Sequence, residues 1–138
     1  MQNPLETLRP FRPRLVGAAE KVFQDYATSK ELKSQLNHLI AVCNEATCHE
    51  EIALYLRYQA ARDGKHIDQS LVNKMIAGAE EIFSDQGFAR NDTLRVAAWR
   101  LYAVYLARTY TYKKAQSADP KPKPDRPTNP QSSAKKGR

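Results

Sequence analysis

Apolar residues recur along this chain at intervals of three and four, the period of helices that bury one face. Val16, Ala19, Val22, Phe23 and Tyr26 predict a first helix from Leu15 to Ala27. Leu32, Leu36, Leu39, Ile40 and Cys43 predict a second, opened by a capping box in which Thr28 and Glu31 satisfy each other's amides. A second box, from Thr47 to Glu50, opens a third helix that runs through IALYLRYQAAR and stops at Gly64. Asp68 caps a fourth, with Leu71, Val72, Met75, Ile76, Ala79, Ile82 and Phe83 as its apolar side and Gly87 beyond its end. The fifth is the longest, about six turns from Asn91 to Lys114 without a Gly or Pro. Asn91 or Asp92 caps its first amides, and Lys113 and Lys114 sit at the negative end of its dipole. At 100° per residue, Arg95, Trp99, Tyr102, Leu106, Tyr110 and Lys113 form one stripe of this helix, and Leu94, Ala97, Ala98, Leu101, Val104 and Tyr105 another. Two apolar faces imply one that packs on its own domain and one, edged with cations, that is open to a partner.

No window alternates with a period of two, so a sheet is not expected. The predicted fold is all-α, an antiparallel bundle of about five helices over 15–116. Before it, Pro4, Pro10 and Pro13 predict an extended arm over 1–14, whose Arg9, Arg12 and Arg14 are placed to grip phosphate or an acidic partner. After it, 117–138 carries five prolines and no large apolar residue, the composition of a disordered basic tail. The strings AEKVFQD at 19–25 and AEEIFSD at 79–85 are similar enough to suggest a duplicated helical hairpin or convergent surface composition.

Charge sharpens this picture. The net charge of +7 divides into +2 over 1–14, −4 over 15–89, +5 over 90–114 and +4 over 115–138. A basic C-terminal part beside an acidic middle suits a polyanion on one side and a basic neighbour on the other, or a solvated surface with a solubilising tail. No apolar run is long enough to span a bilayer, and the N-terminus lacks a secretory segment, so a cytoplasmic protein with reduced Cys43 and Cys48 is expected.

Catalytic motifs are missing: there is no P-loop, dinucleotide fingerprint, nucleophile elbow or paired-histidine metalloprotease signature. His38, Cys43, Cys48 and His49 lie within twelve residues, but His38 and Cys43 point about 140° apart on one helix, the arrangement of buried thiols and surface imidazoles rather than of a zinc site. A non-enzyme without metal or cofactor is therefore expected. Binding chemistry is better represented. Arg57 and Arg62 with Tyr55 and Tyr58 in the third helix, Lys65 at its end, and Arg95, Arg100, Arg108, Lys113 and Lys114 in the fifth, interleave cations with aromatic rings. Such a mixture neutralises phosphates and stacks bases without reading sequence. Trp99 and Tyr102 fit a core and also fit, as the larger side chains of their stripe, a partner-binding face.

The segment L-Y-L-R-Y-Q-A-A-R at 54–62, a helix ending near Phe83 and L-R-V-A-A-W-R-L-Y-A-V-Y-L at 94–106 together resemble the small helical subunit of CRISPR effector complexes. Those proteins share a Tyr-containing helix ending in Ala-Arg and a last helix rich in Ala and aromatics, and the similarity covers roughly 30–112. The chain also resembles subtype I-D, where the small subunit matches the C-terminal part of the large subunit; the Pro-rich arm and tail depart from the compact small subunits. The resemblance implies a non-catalytic role in antiviral defence. Copies would line a Cascade-like complex, touching the backbone subunits, the large subunit and one another, and would steady the guide–target duplex of CRISPR RNA or the displaced DNA strand with the eight basic residues just named. The alternative is a helical adaptor that docks a partner protein without nucleic acid.

Overall fold

The computed structural model describes residues 3–24 and 31–118, and among these every regular element is helical. A short α1 (Pro4–Leu8) passes through a 3₁₀ turn (Arg9–Phe11) into α2 (Arg12–Val22). Four further helices follow: α3 (Lys33–Glu45), α4 (His49–Arg62), α5 (Gln69–Phe83) and, after a second 3₁₀ turn (Gln86–Phe88), α6 (Asp92–Ala118). The five helices of eleven residues or more are those the periodicity predicts.

The stretch expected as an extended arm is helical instead. Pro4 stands at the start of α1, Pro10 at the start of the 3₁₀ turn and Pro13 at the start of α2. Proline's missing N–H costs nothing in the first turn, where no intrahelical acceptor exists, so each proline begins a helical segment. Leu8 is fully buried, and the Phe11 ring meets Phe88 edge-on at 5.0 Å, which fastens this segment to the bundle. Arg9 pairs with Glu6 at 3.1 Å and Arg14 approaches Asp85 at 3.7 Å, while Arg12 is exposed. The Thr28 half of the first capping box and the tail over 119–138 lie outside the described residues. Glu31 accepts the Lys33 N–H at 3.0 Å.

The helix caps follow chemistry legible in the chain, with one shift of register. Asp68 accepts the Leu71 N–H at 2.8 Å, and Asn91, rather than Asp92, accepts the Leu94 N–H at 3.0 Å. At the start of α4 the reaching carboxylate is Glu51, not Glu50: it accepts from the Thr47 N–H at 2.7 Å and the Thr47 hydroxyl at 3.0 Å. With Cys48 in the N-cap position, Glu51 holds the third helical place, from which a carboxylate reaches back.

The core surrounds α6, which packs against all five other helices and the second 3₁₀ turn. Leu94, Val96, Ala98, Trp99, Tyr102, Ala103, Leu106 and Tyr110 are all buried, and their directions span most of the helix circumference. A helix buried over more than half its circumference belongs against several neighbours at once, and alanines at 97, 98 and 103 let them approach closely. Burial of each large apolar side chain contributes about 1.5–3 kcal/mol.

Polar ties fix the register. Tyr110 Oη accepts the Leu32 N–H at 3.0 Å, and Arg100 Nε donates to the Cys43 carbonyl at 3.0 Å, so α3 and α6 run antiparallel. Tyr102 Oη donates to the Met75 carbonyl in α5 at 2.8 Å, and the Trp99 indole N–H donates to His49 Nδ1 in α4 at 2.9 Å. An indole N–H only donates, so His49 Nδ1 accepts and the neutral ring carries its proton on Nε2, 3.1 Å from Glu80. The two similar strings occupy equivalent places: Ala19, Val22 and Phe23 at the end of α2, and Ala79, Ile82 and Phe83 at the end of α5, are buried.

Candidate nucleic-acid interface

The eight cations predicted to contact a polyanion do not share a surface. On α6, Arg95 and Lys113 lie five turns apart at one azimuth, about 140° from both Arg100 and Arg108. That azimuth is the one occupied by Tyr102 and Leu106, which point into the core. Arg95 accordingly lies half-buried, with its guanidinium 5.9 Å from the Phe83 ring centroid and its Nε buried without a hydrogen-bond partner. It serves the α5–α6 contact through the ring face and carbon stem.

Arg100 is structural as well. Its Nε and Nη2 donate to the carbonyls of Cys43 and Asn44, at 3.0 and 3.4 Å, at the C-terminal end of α3. Those carbonyls lack intrahelical donors and carry the negative end of the dipole, so a cation capping them is doubly favourable. Lys114 bonds Glu31 at 3.2 Å and stands 5.7 Å from the Tyr110 ring centroid. Its pKa is raised, first by Tyr110 and then by Glu31. The carboxyl of Glu31 is lowered in turn, chiefly by the Lys33 N–H.

Trp99 and Tyr102, expected at a partner-binding face, are fully buried. The expectation fails because both stripes of α6 have neighbours: the Trp99 ring lies between His49 and Tyr102, and Tyr102 reaches across to α5. Burial raises the Tyr102 pKa, so it stays a neutral donor to the Met75 carbonyl.

What remains outward on α6 is Arg108. Leu101, Val104 and Tyr105, all half-buried, and the exposed Tyr112 surround it on the same helical face. Arg108 makes no hydrogen bond or ion pair among the described residues. Lys113 borders a shallow cleft against Gly17, Glu20, Lys21 and Gln24 of the α2 segment.

A second cluster lies on the exposed flank of α4. The Arg62 guanidinium stands 5.7 Å from the Tyr58 ring centroid while Nε and Nη2 donate to Gln59 Oε1 at 3.2 and 2.9 Å. Gln59 in turn donates to Tyr55 Oη at 3.2 Å, and desolvation raises the pKa of that phenol. Arg57 and Lys65 are exposed nearby along the chain. Beside them runs an open groove between α3 and α4, lined by Val42, Glu45, Ala46, Glu51, Leu54, Tyr55 and Tyr58.

Leu54 is 68% exposed, a feature the sequence reading passed over. Its signal was its place outside the buried series Ile52, Leu56 and Ala60, on the side of Arg57 and Tyr58. The four metal-type ligands do not converge among the described residues. Cys43 is buried under Arg100, its thiol pushed up to about 12 by desolvation, while His38 is exposed on the far side of α3 and His49 is held by Trp99 and Glu80. No described helix is long and apolar enough to cross a membrane.

No protein-family model, curated protein or solved structure matches this chain.

Proposed function

We propose that this chain is a non-catalytic, sequence-independent nucleic-acid-binding subunit, of the kind that forms the small helical subunit of an RNA-guided CRISPR surveillance complex. In this role it steadies a guide–target duplex or a displaced DNA strand while bridging larger subunits. The observation that carries the reading is the set of outward cations near aromatic rings: Arg108 with Tyr105 and Tyr112 on α6, and Arg62 against Tyr58 on α4, with Lys65 exposed just beyond that helix. Guanidinium and ammonium groups on such surfaces neutralise backbone charge, and exposed rings stack unpaired bases. Arg95 and Arg100 leave the set, since one serves a ring face in the core and the other the end of α3.

The test is a salt series on labelled single-stranded DNA and its duplex. Wild-type protein is expected to lose affinity linearly in log–log form, and Arg62→Ala/Lys65→Ala/Arg108→Ala to flatten the slope by about 2–3. Arg100→Ala is expected to lower the melting temperature and leave that slope unchanged. A folded protein that binds no strand at low salt overturns the reading. The alternative, a helical adaptor that binds only protein, is favoured by Leu54 and Tyr58, whose large apolar side chains stand in solvent beside the α3–α4 groove.

A further inference from the structure

Leu54 and Tyr58 are 68% and 58% exposed, the highest values among the exposed large hydrophobic residues, and they sit one turn apart on α4. Two charges flank them. Glu50 and Arg57 are seven residues apart on one side of the Leu54 direction, and neither forms an ion pair among the described residues. The midpoint between Glu50 and Arg57 falls within about 1 Å, along the helix axis, of the height of Leu54. The face is therefore its own complement when reversed.

We propose that the exposed face of α4 docks a second copy of this chain, antiparallel, about a two-fold axis at the height of Leu54. Under that operation Leu54 meets its own image, and residues on one flank meet the same flank of the other copy in reverse order. Glu50 then faces Arg57 of the second copy, and Arg57 faces its Glu50. On the opposite flank the Tyr58 ring lies against the start of the other α4. A parallel two-fold would bring this flank against the opposite one, setting Glu50 near Glu51 and Arg57 near Tyr58 of the other copy, so the charges select the reversed alignment. The two helix dipoles also oppose favourably. One helix face buries less than the roughly 1,200–2,000 Å² of a standard interface, so the dimer is weak and concentration-dependent. Because it uses Tyr58 and Arg57, this contact competes with a nucleic-acid strand for the same face of α4, and sedimentation without nucleic acid tests the contact alone.

Sedimentation velocity of the full chain from micromolar to millimolar concentration is the test, with circular dichroism on every variant. The wild type is expected to pass from monomer to dimer as concentration rises. Glu50→Arg and Arg57→Glu are each expected to weaken association about tenfold, because each sets two like-charge pairs across the axis. The double reversal E50R/R57E is expected to restore it to within about threefold, which a general loss of structure does not do. Leu54→Glu is expected to abolish it with the helical signal intact, since Leu54 contributes little to the core. Arg57 lies outside the helix caps, so Arg57→Glu alone carries the charge test if Glu50→Arg frays the helix start. A monomer at every concentration overturns the proposal and leaves the face to a different partner. So does a dimer indifferent to Arg57→Glu, or a double reversal no tighter than the single ones.

Discussion

Gly78 stands where Tyr102 crosses from α6 to α5. A Cβ at that position would lie 2.6 Å from Tyr102 Oη and 3.5 Å from Ala18 Cβ. Alanine ordinarily stabilises a helix interior over glycine by about 1 kcal/mol. Here the hydroxyl is fully buried and bonded to the Met75 carbonyl, so it has nowhere to retreat. Gly78→Ala is expected to destabilise the fold by about 1–3 kcal/mol in urea denaturation. In a Tyr102→Phe background the same change is expected to cost less, because the clashing atom is gone. Equal costs in both backgrounds would place the strain elsewhere. The two arginines of α6 show what the chain could not reveal at this scale. The sequence placed Arg95 and Arg100 among the cations open to a polyanion, but their partners are a ring face and two main-chain carbonyls. Neither kind leaves a trace in composition.

At the scale of the element, the ends of the helices carry the pH dependence. The Glu51 carboxyl is held below its ordinary range first by the Thr47 N–H, and Glu31 by the Lys33 N–H. A carboxyl lowered in the folded state stabilises above its unfolded pKa, and the benefit is lost as pH falls through the folded value. Melting temperature is therefore expected to fall as pH drops below about 4.3, and E31Q/E51Q to flatten part of that fall. An unchanged profile in the double variant would show that these caps do not couple to folding. Helix positions, the Asp68 cap and the long last helix were legible because apolar spacing and short polar caps are local signals. The N-terminal segment was misread because a proline's effect depends on its place in a turn: Pro4, Pro10 and Pro13 all stand at helix starts. The one-residue shift from Glu50 to Glu51 has a similar origin, since both carboxylates were available and only the backbone angle at Cys48 decides which reaches back.

At the scale of the whole molecule, the core is one cluster assembled on α6, and Cys43 lies at its seam with α3. A thiol pushed up to about 12 is almost entirely protonated near neutrality, and Cys43 has no exposed surface. Mass spectrometry after brief alkylation is expected to find Cys48 modified and Cys43 spared in the native protein. Arg100→Ala, which removes the cation bonded to the Cys43 carbonyl, is expected to raise the rate of Cys43 labelling about fivefold, the equivalent of about 1 kcal/mol of easier opening. Equal labelling of both thiols would mean that the α3–α6 seam breathes freely. Which faces of the last helix have neighbours was illegible in the sequence, because two apolar stripes look alike whether one or both are covered. The eight cations stand on α4, just beyond its end and on α6, yet their division between surface and scaffold depends on helices far away in the chain.

A hub made from a helix that follows all its partners in the chain also orders events at the ribosome. Until residues 92–118 emerge from the exit tunnel, α2 and α3 present to solvent the side chains that α6 will cover, among them Phe23, Leu36 and Leu39. The nascent chain therefore waits without its centre, and completes its long-range pairings only once α6 has emerged.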